Sequence, residues 1–247
     1  MLADLWQAVS DHLSKIMIDL SIVIPAHNEE GVIGQTVRDL ALRITREGIV
    51  YEIVVVNDNS TDQTGVILEQ LRQEIQNLKV VYNPPPSGFG FAVRHGIEET
   101  GGNHIAIMMA DASDDPEDLI CFFRKAEAEG VDAVFGNRFA KGVEVVDYPW
   151  LKLILNLLSN WLIAGLFAMR YMDTTNAFKL YRRETLEGLK PYLSHHFNLT
   201  VELPLKAIVR GYSYAVLPNR WTNRKAGVSK LKIKEMGSRY WFIIIFK

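Results

Sequence analysis

Short apolar segments alternate with amphipathic ones along residues 18–138, and this alternation constrains the fold more than any other feature of the chain. The apolar runs predict strands at residues 20–26, 51–58, 78–83, 104–110 and 132–138. Between them, apolar residues at helical spacing predict helices at residues 29–46, 61–76, 89–99 and 116–129. Strands that are apolar throughout are buried on both faces. We therefore predict an α/β fold with a mostly parallel sheet flanked by helices.

The distinctive polar residues of this region gather where the predicted strands end. These ends read PAHNEE, NDNSTD, NPPPSGFG, ADASDDPED and GNRF. In a parallel sheet the carboxyl ends of the strands meet at one edge, and ligands bind in the crevice beyond that edge. We therefore expect the functional site there.

The fourth strand runs directly into a concentration of acids at residues 111–118. Asp115 is suited to cap a helix that starts at Pro116, with Glu117 and Asp118 in its first turn. Capping does not require Asp111, which directly follows the buried strand. A carboxylate at this place is a natural ligand for a hard divalent cation. We therefore predict that Asp111 binds a metal ion or a nucleotide sugar.

Residues 150–169 form an almost entirely apolar segment with one narrow polar stripe. At helical spacing, the stripe consists of Lys152, Asn156, Ser159 and Asn160. Two interpretations fit this pattern. The segment is either a helix buried in the core or a helix in the membrane interface, with the stripe facing the protein or a lipid headgroup.

Three regions are expected along the chain, with boundaries near residues 17 and 235. The pattern at residues 1–17 predicts an amphipathic helix that packs against the domain or a membrane. Residues 18–235 are expected to form the main domain. Residues 236–247 are expected to form an apolar, aromatic tail that associates with a membrane. The formal net charge of −2 gives no broad basic surface for nucleic acid. The single cysteine, Cys121, excludes an internal disulfide.

Two later segments carry clustered positive charge. DTTNAFKLYRRETL places Arg182 and Arg183 after Asp173, and NRWTNRKAGVSKLKIK groups basic residues around a glycine and a serine. The members of the second group are Arg220, Arg224, Lys225, Lys230, Lys232 and Lys234. Such groups suit the binding of phosphate oxygens, and a solvated basic surface is the alternative.

Taken in order, these motifs resemble the family 2 inverting glycosyltransferases with a GT-A fold, which is Rossmann-like. Within that family they look most like the dolichol-phosphate mannose synthases and other polyprenyl-phosphate glycosyltransferases. The resemblance covers about residues 18–235. Its motifs are SIVIPAHNEE, EIVVVNDNSTDQT, the loop at 88–96, MMADASDDPEDL, FGNRF, DTTNAFKLYRRETL and RKAGVSKL. Each motif alone is weak evidence, but the ordered set is specific.

The resemblance implies a nucleotide-sugar site and a divalent metal, Mg²⁺ or Mn²⁺. The matching nucleotide-sugar residues are Pro25, Asn28, Glu29, Asp58, Asp111 and Ala112, with Asp58 reading the base. In the family an aspartate-x-aspartate motif binds the metal. Asp111 matches its first acid, Ser113 stands at the second, and Asp115 or Asp114 is expected to restore the missing charge.

The resemblance also implies a lipid-phosphate site. Arg138 resembles a residue that binds the lipid phosphate, and the loop expected to close over phosphates contains Arg224, Ser229 and Lys230. The synthases carry an arginine and a serine on the following helix. Ser159 matches the serine, and Lys152 is expected to stand in for the arginine.

The implied activity is transfer of a sugar from GDP-mannose or a UDP-sugar to a membrane polyprenyl or dolichyl phosphate, with inversion. The metal would stabilise the leaving diphosphate, and Arg138, Arg224 and Lys230 would orient the lipid phosphate. The expected partners are the donor, the lipid phosphate and a membrane surface, but no nucleic acid. The expected location is cytoplasmic, peripheral on the cytoplasmic face of a membrane, and a homo-oligomer is compatible with the sequence.

Two alternatives remain open. The same fold with a saccharide or other hydroxyl acceptor requires a general base, for which Asp173 and Glu202 are candidates. Alternatively, because Ser113 replaces an acid, the chain is a non-catalytic relative that binds a nucleotide sugar.

Overall fold

The computed structural model describes residues 18–143 and 145–223, and these contain nine strands and seven helices. The strands are β1 (Leu20–Ala26), β2 (Tyr51–Asn57), β3 (Leu78–Tyr82), β4 (His104–Ile107), β5 (Ala133–Asn137), β6 (Val145–Val146), β7 (Lys179–Arg182), β8 (Tyr214–Pro218) and β9 (Trp221–Thr222). The helices are α1 (Ile33–Arg46), α2 (Thr64–Glu74), α3 (Phe89–Glu98), α4 (Pro116–Glu129), α5 (Trp150–Leu166), α6 (Arg183–Gly188) and α7 (Leu199–Val209).

Seven of the strands form one sheet in the order β3-β2-β1-β4-β7-β5-β8. β7 is antiparallel to both of its neighbours, and the other pairs in this sheet are parallel. The α/β prediction with a mostly parallel sheet is confirmed. Because β7 runs the opposite way, the residues before it lie at the edge where β4 and β5 end.

The sheet is covered on both faces, as continuous apolar strands require. All seven residues of β1 are buried, and alternate side chains of β1 pack into two separate core clusters. Apolar residues of α1, α2 and α4 fill one cluster, and those of α3, α6 and α7 fill the other. On α3, Gly96 allows a close approach to the sheet, because a Cβ there would overlap Cγ1 of Val23.

Several predicted boundaries were wrong at the site edge. The first helix begins at Ile33 rather than residue 29, because Asn28 has φ of 52° and the chain makes a turn before the helix. The second begins at Thr64 rather than residue 61. β4 ends at Ile107 rather than at residue 110, because its pairing with β7 ends at Ile107. At α4 the predicted start at Pro116 is confirmed.

On α5, Asn160 of the polar stripe faces the protein, and much of the apolar surface of the helix faces outward. Asn160 is fully buried, whereas Trp150, Ile154, Leu158 and Trp161 are all more than half exposed. The segment is therefore a surface helix, and its burial in the core is excluded. Among the described residues, no helix combines the length and the apolar character needed to cross a bilayer.

Candidate active site at the carboxyl edge of the sheet

The loops after β1 and β2 are joined by hydrogen bonds that fix their backbones. The Asn28 side-chain oxygen accepts from the Thr61 N–H at 2.7 Å, and the Glu29 N–H donates to the Thr64 hydroxyl at 2.8 Å. Pro25 lies within β1 and is buried, while Asn28 is partly exposed at the edge. The structure therefore brings Asn28 and Glu29 beside the loop after β2 and the start of α2.

Asp58 ties the end of β2 to the loop that follows β3. One of its carboxylate oxygens accepts from the Asn83 amide and the other from the Gly88 N–H, both at 2.8 Å. Asp58 is buried. A carboxylate oxygen has more than one acceptor site, so these bonds are compatible with an additional contact to a base.

The acidic loop, residues 111–115, forms a tight turn that begins four residues after the end of β4. Ala112 has φ of 58°, which is unusual for a residue other than glycine, and the Asp111 carboxylate accepts from the Ser113 N–H at 3.2 Å. Asp114 accepts from the Met109 N–H at 3.0 Å. Burial raises the pKa of Asp114 to about 7, and nearby Asp111 adds to this while Arg138 opposes it.

Asp115 caps α4, as predicted. Its Oδ1 accepts from the Glu117 N–H at 2.8 Å, and its Oδ2 lies 3.1 Å from Nη1 of Arg220. Within residues 18–143 and 145–223, no group of three or more His, Cys, Asp or Glu is arranged to hold a metal. However, Mg²⁺ at phosphate sites commonly uses only one or two carboxylates and takes other oxygens from the substrate and water. The oxygens of Asp111 and Ser113 fit that kind of site.

Arg138 lies just past β5 and forms a buried ion pair with Asp173, which precedes β7. The Asp173 carboxylate accepts from Nη2 of Arg138 at 2.7 Å, from Nε at 3.0 Å and from the backbone N–H at 2.8 Å. Asp173 is fully buried and the Arg138 side chain is 7% exposed. Burial disfavours the charged guanidinium, but Asp173 outweighs this and raises the pKa of Arg138.

The α5 helix connects to this ion pair through Asn160 and Thr175. Asn160 donates to the Thr175 hydroxyl at 3.2 Å and accepts from the Thr174 hydroxyl at 2.7 Å. Arg138 also donates to the Thr175 hydroxyl, at 3.3 Å. Ser159, next to Asn160, is partly exposed. Thus the outward-facing helix is joined by two hydrogen bonds in series to a candidate site residue.

Glu202, a candidate general base, forms hydrogen bonds and an ion pair within the protein. Its carboxylate accepts from the backbone N–H groups of Leu193 and Ser194 at 2.9 and 2.7 Å, and it pairs with Lys206 at 2.6 Å. Glu202 is fully buried. These contacts stabilise the loop before α7.

Some predicted site residues cannot be placed. Arg224, Ser229 and Lys230 lie outside the described residues, as do the predicted segments 1–17 and 236–247. Lys152 lies on α5, but its side chain is likewise outside the description.

The sequence pattern gave no indication of three residues that organise this edge. Thr175 had no signal beyond its place in the DTTN motif. Asp118 was explained by helix capping alone, yet it binds Arg220. Lys179 is buried in β7, where it donates to the carbonyls of Thr174 and Thr200. Burial lowers the pKa of Lys179 to about 7.

Comparisons with known proteins place this chain among sequence relatives. The family model described as Glycosyl transferase family 2 matches residues 21–190. The polyprenol monophosphomannose synthase of Mycolicibacterium smegmatis is 29% identical over 216 residues, covering 85% of this chain and 80% of the relative. The dolichol-phosphate mannosyltransferase of Pyrococcus furiosus is 30% identical over 224 residues, covering 87% of this chain but only 60% of the relative.

Solved structures confirm the predicted GT-A fold. Glucosyl-3-phosphoglycerate synthase from Mycobacterium tuberculosis in complex with UDP has a TM-score of 0.70 at 16% identity, and the match covers 95% of this chain and 81% of that one. The same synthase with Mn²⁺, UDP and glucosyl-3-phosphoglycerate has a TM-score of 0.68 at 19% identity, covering 94% and 79%. At these identities the similarity concerns the fold alone.

Proposed function

The chain belongs to glycosyl transferase family 2, and from this premise we propose that it transfers a sugar from a nucleotide sugar to a membrane polyprenyl phosphate, with inversion. The names of the two curated relatives support a mannosyl group and a polyprenol or dolichol phosphate. The proposed donor is GDP-mannose, with a UDP-sugar as the alternative. An oxygen of the lipid phosphate bonds to the anomeric carbon as the nucleoside diphosphate leaves. Because a single displacement occurs, the configuration inverts.

One observation carries the membrane part of the proposal: α5 exposes tryptophans and aliphatic residues beside the candidate site. Trp150 and Trp161 are 72% and 67% exposed, and Leu158 is 59% exposed. Such a surface is costly in water and suits the boundary between lipid headgroups and acyl chains. Through Asn160 and Thr175, this same helix contacts Arg138. This surface supports a peripheral location on a membrane, and we propose the cytoplasmic face because the family resemblance implies it.

On the donor side, we assign the nucleotide to the edge formed by Asn28, Glu29 and Asp58, and its diphosphate to the acidic loop. A divalent cation, as in the Mn²⁺ complex of the Mycobacterium synthase, would be held by Asp111 with Ser113 alongside. It would neutralise charge on the leaving diphosphate. Since the described residues supply few ligands, metal affinity is expected to depend on bound nucleotide.

On the acceptor side, the lipid phosphate is assigned to Arg138, with Lys152 and Ser159 on α5 and with the basic segment. The relevant residues of that segment are Arg224, Ser229 and Lys230. Asp173 holds the Arg138 guanidinium in one orientation, which favours a directed contact with a phosphate. A phosphate is already ionised at neutral pH, so the displacement needs no strong general base.

The alternative with a hydroxyl acceptor is less favoured. It requires a base that reaches the substrate, and the two acids considered for that role, Asp173 and Glu202, are fully buried and occupied by hydrogen bonds. The non-catalytic alternative predicts nucleotide binding without turnover. The following assay distinguishes it from the proposed function, which predicts a product.

The test is a product assay with a panel of GDP- and UDP-sugars, Mg²⁺ or Mn²⁺, and a short polyprenyl phosphate. We expect a glycolipid product and nucleotide release that both require the lipid. Asp111→Asn should abolish both. Asp132 immediately precedes β5, at the end of the strand away from the candidate site, and Asp132→Asn should retain both. Nucleotide binding without product on any lipid would refute the proposed acceptor.

Membrane contact is tested separately by vesicle sedimentation. Leu158→Gln combined with Trp161→Gln should greatly reduce binding to anionic vesicles. Val66→Gln removes a similarly exposed apolar residue on α2 and serves as the matched control. Equal vesicle binding by both variants would contradict a role for α5.

A further inference from the structure

Arg220, between β8 and β9, binds two acids at the start of α4. Its Nη2 lies 2.9 Å from Oδ1 of Asp118, and its backbone N–H donates to Oδ2 of Asp118 at 2.7 Å. Its Nη1 lies 3.1 Å from Asp115. We call Arg220, Asp115 and Asp118 the Arg220 clamp. The hydrogen bond to Asp118 raises the pKa of Arg220, so this guanidinium stays charged at any ordinary pH.

The two residues after Arg220 extend the contact along the acidic loop. Trp221 forms a β-bridge with Asp114, and the Thr222 N–H donates to the Ser113 carbonyl at 3.2 Å. Trp221 is 8% exposed, and its ring lies 4.6 Å from that of Tyr148. One side of the acidic loop is thus held by a segment about a hundred residues later in the chain.

Within the described part of the chain, a cleft of about 400 Å³ lies between the acidic loop and α1. On the α1 side it is lined by Thr36, Asp39 and Leu40. Close packing helps to fix the position of a loop, and a cleft beside the loop provides fewer such contacts. The polar contacts of the acidic loop, including the Arg220 clamp, therefore contribute to its position.

The charge distribution gives Arg220 a different role from the one expected from its sequence neighbours. In the sequence it belongs to a basic group suited to phosphate, but in the structure its guanidinium is engaged by two carboxylates. The same pairing occupies Oδ2 of Asp115, while Oδ1 caps α4. Both carboxylate oxygens of Asp115 are therefore engaged within the protein.

We propose that Arg220 is a positioning residue that holds the acidic loop in the shape that presents Asp111 to the nucleotide and its metal, with Asp115 as a support rather than a metal ligand. This inference rests on the proposed function for the identity of the ligand. It concerns Arg220 acting through the loop, without contact to the substrate.

The test measures GDP and UDP binding by calorimetry, with Mn²⁺ and with EDTA. Arg220→Gln should weaken Mn²⁺-dependent binding about tenfold and leave binding in EDTA within twofold. Asp118→Asn should have the same effect from the other side of the clamp, and the double variant should be no weaker than either single one. Arg38→Gln breaks a comparable two-bond pair with Glu74 on the surface and should change neither affinity.

A second measurement needs neither metal nor nucleotide. Hydrogen exchange at the Thr222 amide should be faster in Arg220→Gln and Asp118→Asn than in the wild type, with the Arg38→Gln rate unchanged. Asp115→Asn, which keeps the capping oxygen, should bind Mn²⁺ and nucleotide within threefold of the wild type.

The outcomes separate the two proposals. If Asp111→Asn loses Mn²⁺-dependent binding but Arg220→Gln and Asp118→Asn retain it, the positioning role is wrong and the proposed function stands. If Asp115→Asn loses binding as fully as Asp111→Asn, Asp115 is a ligand and the inference is wrong. If the wild type binds neither nucleotide, the proposed function fails and the inference fails with it.

Discussion

Replacing Asp173 tests whether this acid braces Arg138 or acts as a base. Asp173→Ala removes the acceptor of three Arg138 donors and leaves a guanidinium that is only 7% exposed without its main counter-charge. Removing one partner of a buried ion pair costs about 3–5 kcal/mol. For a chain of this size, that corresponds to a fall in Tm of roughly 6–20 °C.

The matched variant is Arg138→Met combined with Asp173→Asn. It removes both charges but keeps a side-chain oxygen for the Arg138 backbone N–H, which would otherwise be buried without an acceptor at a cost of about 1–3 kcal/mol. Uncharged pairs often replace buried ion pairs without loss of stability. We therefore expect this double variant to recover most of the stability lost in Asp173→Ala.

Urea unfolding, followed by far-UV circular dichroism, measures both free energies. Turnover of Asp173→Asn at saturating lipid phosphate, measured across pH, supplies the functional half of the test. If Asp173→Ala loses less than about 1 kcal/mol of unfolding free energy, Asp173 does not stabilise Arg138 as proposed. Removing one partner of a buried ion pair should cost more than this. A stable Asp173→Asn variant that is inactive at every pH would instead identify Asp173 as a base.

Three further predictions concern buried groups outside the proposed chemistry. Glu202→Gln should cost about 3–5 kcal/mol in urea unfolding, because Lys206 loses its counter-charge, and should leave the pH profile of turnover unchanged. Lys179 releases its proton near pH 7 when folded but near 10.5 when unfolded, so the unfolded chain binds more protons in this range. Wild-type stability should therefore rise from pH 7 to 10 relative to Lys179→Met, by on the order of 1 kcal/mol per pH unit, and a constant difference in urea unfolding would contradict this. Gly96→Ala should cost about 1–3 kcal/mol in the same assay, because the added methyl group overlaps Val23, and wild-type stability would show that α3 can shift.

Patterns within a few neighbouring residues were enough to predict much of the fold. Five parallel strands follow from continuous apolar runs, although β3 at the sheet edge is partly exposed, and the start of α4 follows from Asp115 and Pro116. β7 was missed because it is a four-residue strand that begins with a buried lysine, Lys179. α7 was also missed, since it contains a proline, Pro204, and shows no single apolar face.

The candidate site was likewise predicted only in part. The sequence determined which residue types stand at the strand ends, including Asp58, Asp111 and Arg138, because strand ends are local features. Only the tertiary structure decided their partners: Arg138 binds an acid 35 positions away, and Arg220 binds one 102 positions away. Those pairings depend on the insertion of antiparallel β7 between β4 and β5 and on the path of the chain after β8. Strand order is set by packing across the whole sheet, which no local pattern encodes.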